Sequence, residues 1–179
     1  MKKVIAVILA ALMLVTVIPL AVSAADDFKV YGPLTLEGKF AYETVDFAVS
    51  SEKEGNTAFL RCKASAGAYT NDQLKFTFIP DFSLTEYPIV LVSYRSNSNS
   101  SVIDVTLRGE KLEKWPDSHP TNQGDGKWHK LIVDINTITG GNGTVTPGLL
   151  VDFCMKPFGA GNKTLASDVY FDVEYIACF

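Results

Sequence analysis

Five carboxylates interrupt apolar runs at alternating positions: Asp104, Asp134, Asp152, Asp172 and Glu174. A pair of them at a suitable separation could act as acid and base in glycoside hydrolysis. Water-facing carboxylates on alternating strands more often form only a solvated face, and their separations are not written in the sequence. Other catalytic signatures are missing. The chain has two histidines, His119 and His129, and no Cys or His-Glu-x-x-His pattern at zinc spacing. It has no Gly-x-Ser-x-Gly elbow. The run Gly159-Ala160-Gly161-Asn162-Lys163-Thr164 departs from a phosphate loop at Asn162 and at Pro157, and a strand follows it where that loop needs a helix N-terminus.

The aromatic residues carry more information. Trp115 sits in Lys114-Trp115-Pro116-Asp117-Ser118-His119-Pro120, a loop stiffened by two prolines. An exposed indole there could cover the C–H face of a pyranose, with Asp117, His119 and Asn122 taking its hydroxyls. Trp128 and Tyr94 are further candidates for ligand contact, although strand positions serve packing equally well. For Trp128 the ordinary expectation is contact with an edge loop.

These residues have to be positioned by strands. Leu60 and Cys62 alternate with Phe59, Arg61 and Lys63; Leu74, Phe76 and Phe78 with Lys75 and Thr77; Val90, Val92 and Tyr94 with Leu91, Ser93 and Arg95. Ile103, Val105 and Leu107 alternate with Asp104, Thr106 and Arg108, and Leu131, Val133 and Ile135 with Trp128, Lys130, Ile132 and Asp134. Leu149, Val151 and Phe153 follow the same rule around Leu150 and Asp152, as do Phe171, Val173 and Tyr175 around Asp172 and Glu174. A period of two places one set on a core and the other toward water. Between the runs lie Asn71-Asp72, Asn97 to Ser100, Gly124-Asp125-Gly126, Gly140 to Gly143 and Gly159 to Asn162, all turn formers. Seven strands, with one or two more around Phe40 to Val49, predict an all-β fold: an antiparallel two-sheet β-sandwich or jelly roll. No amphipathic helical period occurs after residue 25.

Composition narrows the setting. Lys2 and Lys3, the apolar run Val4 to Val22 and the small-residue exit Val22-Ser23-Ala24-Ala25 read as a secretory signal peptide over residues 1–25, cut after Ala24 or Ala25. An uncleaved membrane anchor is the alternative, and Pro19 and the small residues favour cleavage. Residues 26–179 then form one domain, exported to the cell exterior, with no stable membrane insertion after cleavage. With 20 acidic against 16 basic side chains in the 179-residue chain, a nucleic-acid partner is not expected. Three cysteines, Cys62, Cys154 and Cys178, are too few for a disulfide framework. Buried thiols are expected at least as readily as a Cys154–Cys178 bridge.

Three segments carry a resemblance: Tyr87 to Ser96 with its Tyr94, Gly124 to Asp134 with Trp128 ahead of Val133-Asp134, and Val169 to Ala177 with Asp172 and Tyr175-Ile176. Together they are similar to galactose-binding-like jelly rolls, the fold of many carbohydrate-binding modules of extracellular bacterial glycosidases. The resemblance runs from Tyr87 to Phe179. It implies a polysaccharide or glycan as partner and a structural calcium for which Asp172 is the matching ligand, its N-terminal counterpart being Glu37, Glu43 or Asp46. The plain alternative for Asp172 is an exposed strand carboxylate. Cys178 departs from the pattern, standing where a bulky apolar residue is expected.

Three functions follow for the chain. The first is a secreted, non-catalytic module, monomeric and folding without a required cofactor, that recognises polysaccharide or cell-surface glycan. The second is a structural or adhesive domain that binds protein. The third is a glycosidase or polysaccharide lyase using the strand carboxylates, or Tyr94 and Arg95.

Overall fold

Alternating strands bury one face each, so two sheets must close on one another, and the described residues do this with eleven strands. The computed structural model describes residues 29–32, 40–41, 48–67, 74–80, 82–109, 112–143, 150–155 and 164–179. The expected leader at 1–25, the carboxylates Glu37, Glu43 and Asp46, and the loop from Gly159 to Lys163 lie outside the described residues.

The strands are β1 (Lys29–Tyr31), β2 (Phe40–Ala41), β3 (Ala48–Glu54), β4 (Thr57–Ala64), β5 (Leu74–Phe78), β6 (Ile89–Ser96), β7 (Asp104–Gly109), β8 (Leu112–Lys114), β9 (Trp128–Asp134), β10 (Leu150–Met155) and β11 (Val169–Cys178). Sheet A runs β3-β4-β11-β6-β9, with β1 also paired to β11; sheet B runs β2-β5-β10-β7-β8. Every described pairing is antiparallel. The class is therefore the antiparallel two-sheet β-sandwich that alternation predicts.

The inner faces are also as alternation predicts. Leu60 and Cys62 from β4, Val90, Val92 and Tyr94 from β6, Val105 and Leu107 from β7, Leu131 and Val133 from β9, and Phe171 and Val173 from β11 share one buried core with Leu74, Phe78, Ile103 and Val151. Cys178 is a buried thiol outside any disulfide, and Cys62 is likewise a buried thiol.

One strand departs from strict alternation. The β11–β6 register shifts between Val173 and Tyr175. This bulge puts Glu174 and Tyr175 on the same outer side and returns Ile176 and Cys178 to the core. Tyr175 therefore packs with Leu91 and Ala177 on the outer face of sheet A, not with Phe171 and Val173. Burial pushes its phenol up to about 12, with the neighbouring Glu174 carboxylate adding to the rise.

The connection from β8 to β9, residues 115–127, is held by its own amides. Asn122 is buried; its Nδ2 donates to the carbonyls of Ser98 (3.1 Å) and Ser100 (2.9 Å), and its Oδ1 accepts from the Gly124 N–H (3.3 Å). Gly124 has φ +48°, and a Cβ there would run into the Ser98 carbonyl, so only glycine fits.

Candidate functional site

Outward positions of sheet A concentrate charge and aromatic rings at one end. The registers set Asp172 opposite Arg61 on β4 and opposite Arg95 on β6, and Arg95 opposite Trp128 on β9. Three neighbouring strands thus place one carboxylate between two guanidiniums, at distances that leave no room for water.

Asp172 is fully buried. Its Oδ1 accepts from Arg61 Nε and its Oδ2 from Arg61 NH2, both at 2.8 Å, and Arg95 Nε and NH2 each lie 2.9 Å from Oδ2. The free ends of the guanidiniums then reach β3: Arg61 meets Glu52 at 3.0 Å and Arg95 meets Glu54 at 2.5 Å. Hydrogen bonding to Asp172, against the opposing pull of desolvation, holds the Arg61 pKa above its ordinary value. In Arg95 burial opposes the charge, and the bonds to Glu54 and Asp172 outweigh it.

Rings enclose this ion cluster. Arg61 lies 5.2 Å from the Phe59 ring centroid and 4.4 Å from that of Tyr170. Arg95 lies 4.9 Å from Phe59, 4.8 Å from Trp128 and 5.7 Å from Tyr170. Phe59 meets Trp128 edge to face at 5.6 Å. Two planar cations stacked among three rings form a preorganised surface, because each guanidinium is held both by ring faces and by carboxylates.

Over one side of this surface opens a hollow of about 400 Å³ lined by Glu52, Lys53, Glu54, Phe59, Arg61, Arg95 and Tyr170. Its walls offer acceptors on the glutamates, donors on the arginines and the half-buried ring of Tyr170. A polyhydroxylated ligand suits such a lining, since its donors and acceptors can take hydroxyls.

The residues singled out from the sequence fall into separate places. Trp128 belongs to the ring cluster just described, half-buried against Phe59 and Arg95. Asp172 is its ionic centre. Both its oxygens already accept from guanidiniums, and two positive neighbours oppose any cation, so it is a partner of arginines and not an open calcium ligand. Among the described residues no group of three or more His, Cys, Asp or Glu could hold a metal ion. Asn122 is consumed by the Ser98 and Ser100 carbonyls and is structural. Tyr94 is a core residue whose hydroxyl accepts from the Gln123 N–H (3.3 Å) and lies 3.5 Å from the Thr121 carbonyl. With Pro120, Thr121, Gln123, His129, Lys130, Leu131 and Ile132 it lines a second hollow of about 290 Å³ beside β9. His119 accepts the Val105 N–H on Nδ1 (3.3 Å), which ties its loop to β7. Asp117 and Trp115 are exposed, and Trp115 lines neither hollow.

Sequence reading did not single out Arg61, Glu52, Glu54, Phe59 or Tyr170. The signal was available: Phe59 and Arg61, and Tyr170 and Asp172, are outward pairs in strands whose other faces are wholly apolar.

No protein-family model matches the chain, and the search of curated proteins found no match. Solved structures that share the two-sheet architecture include carbohydrate-binding module β-sandwiches. One is the family 11 carbohydrate-binding module from Clostridium thermocellum in complex with a β-1,3-1,4-mixed-linked tetrasaccharide, at TM-score 0.48 and 11% identity over 88% of this chain and 91% of that one. Another is a mutant of a family 29 carbohydrate-binding module, at TM-score 0.37 and 10% identity over 84% and 89% of the two chains. The Bacillus thuringiensis insecticidal crystal protein Cry7Ca1 is similar at TM-score 0.44 and 15% identity over 92% of this chain and 24% of its own. These likenesses are distant.

Proposed function

We propose that this chain is a non-catalytic polysaccharide-binding module whose site is the hollow over Tyr170, Arg61 and Arg95, and that its ligand is an uncharged glycan. One observation carries the reading. The arginines of the hollow are already neutralised by Asp172, Glu52 and Glu54, while hydrogen-bonding groups of Glu52, Lys53, Glu54, Arg61, Arg95 and Tyr170 line it. Lys53, Arg61 and Arg95 balance the same three carboxylates. A hollow with no net charge gives a uronate or sulfated chain nothing to pair with, yet it retains donors and acceptors for hydroxyls.

Binding is favoured over hydrolysis for a related reason. A glycosidase needs one carboxylic acid kept protonated by apolar surroundings, whereas each carboxylate here is ion-paired with a guanidinium. Residues 1–25 serve as the export signal in this reading, and the mature monomer acts outside the cell. Intact mass of secreted protein should then begin at Ala25 or Asp26.

Native electrophoresis through gels containing soluble polysaccharide tests the binding. Mixed-linked β-glucan, hydroxyethylcellulose or xylan should retard the protein, and alginate and pectate should not. Retardation only by the acidic polymers, or by none of the five, would overturn the reading.

A further inference from the structure

Trp115 remains outside this site, and its seat is unusually well made for an exposed ring. It follows β8, the edge strand of sheet B, whereas the hollow lies on sheet A. The turn at residues 140–143 is fastened along β8: the Asn142 N–H donates to the Glu113 carbonyl (3.0 Å), and the Glu113 N–H donates to Asn142 Oδ1 (3.2 Å). The Trp115 N–H donates to the Gly140 carbonyl at 3.4 Å. A Cβ on Gly140 would come within 2.7 Å of the Trp115 carbonyl oxygen and 3.0 Å of its Nε1. The absence of that Cβ therefore lets the edge of the indole lie directly on the turn. Pro116 fixes the chain on the other side. With all this support the residue is still 42% exposed.

Burying that exposed ring surface costs little ordering entropy, since backbone and ring are already fixed by the turn. The exposed side chains of Glu113, Asp117 and Asn142 provide hydrogen-bonding groups on the same edge.

We infer that Trp115 is a second, independent contact for the same uncharged polysaccharide: a single-pyranose stacking platform at the edge of sheet B. The inference takes the glycan class from the proposed function but does not depend on the hollow being the other contact. Where one polymer engages both contacts, effective concentration raises its affinity. Losing one should cost on the order of 100-fold against a long polymer.

Affinity gels containing hydroxyethylcellulose, mixed-linked β-glucan or xylan separate the possibilities with wild type, Trp115→Ala, Tyr170→Ala and the double variant. The inference predicts weakened retardation in each single variant and none in the double. Retardation of Trp115→Ala equal to wild type, with loss in Tyr170→Ala, overturns the second contact and leaves the hollow standing. The converse result removes the hollow and leaves Trp115. A wild type that is not retarded overturns both. A second measurement removes dependence on the folding of Trp115→Ala. In Trp128→Phe, Trp115 is the remaining tryptophan of the two in the chain, and cellohexaose or xylohexaose should shift its emission to the blue. Unchanged emission, in a protein that the gels do retard, overturns the platform.

Discussion

Replacing Asp172 by asparagine perturbs the cluster that shapes the sheet A face. The substitution is nearly isosteric, so it removes charge without opening a cavity. Four guanidinium nitrogen contacts at 2.8 to 2.9 Å converge on this carboxylate, which has no exposed surface. A hydrogen bond to a charged group contributes about 1.5–3 kcal/mol net, and breaking a buried ion pair from one side costs about 3–5 kcal/mol. Two features lower the figure here. The Arg61 and Arg95 side chains keep 21% and 11% of their surface, and Glu52 and Glu54 still pair with them. Asparagine also retains one acceptor, while its amide turns two protons toward existing donors. The expected loss is about 2–4 kcal/mol, below the full cost of an uncompensated buried charge. At an m-value near 2 kcal/mol/M, urea midpoints followed by tryptophan emission should fall by roughly 1–2 M. Glu54→Gln, at a side chain 67% exposed, should stay within about 0.5 kcal/mol. A loss below about 0.5 kcal/mol in Asp172→Asn, against the range expected for a buried pair, would refute the idea that the two arginines depend on this carboxylate.

Alkaline pH should destabilise the fold through groups whose charged forms the interior rejects. Burial pushes the Cys178 thiol from 9.0 up to about 12, and burial, then Glu174, pushes Tyr175 from 10.0 up to about 12. Both folded values exceed the unfolded ones, so the unfolded state loses these protons first. Stability is whole below pH 9 and declines from there toward pH 12; Tyr175→Phe should flatten the decline in alkaline urea melts. Native Cys178 should also resist a thiol reagent at pH 8 and react once urea unfolds the chain, because the thiolate is the nucleophile. Phe171→Ala, at a fully buried ring, should cost about 3–5 kcal/mol, whereas Lys53→Ala should change stability by no more than about 0.5 kcal/mol in the same melts. Polysaccharide retardation should change little between low and moderate salt, since Glu52, Glu54 and the buried Asp172 beneath the hollow balance its three cations; a steep loss on adding salt would contradict the neutral-ligand reading.

The architecture was legible because alternation is a local property. Val90, Val92 and Tyr94, or Leu131 and Val133, declare their inner face within a few residues. Tyr175 escaped this logic because the bulge at Glu174 adds one residue on one strand, and nothing in Phe171 to Tyr175 announces the step. Site residues were harder to read because their roles are set by partners distant in the chain. Asp172 looked like an open carboxylate until pairing brought up Arg61 and Arg95, 111 and 77 residues away. Asn122 looked available until Ser98 and Ser100 claimed its amide from 24 and 22 residues earlier. Trp115 was singled out from its prolines, but its seat on Gly140 depends on a turn that sequence spacing alone does not connect to β8.

The most direct measurement is the change in backbone amide NMR signals of the secreted protein on titration with an uncharged hexasaccharide, cellohexaose or xylohexaose. Saturable shifts at Glu52 to Glu54, Phe59 to Arg61, Arg95 and Tyr170 to Asp172 are the predicted result, together with a smaller group around Trp115 and Gly140. Saturable shifts that leave the β3, β4, β6 and β11 amides unmoved, or no shifts with either sugar, would contradict the assignment of the sheet A hollow as the binding site.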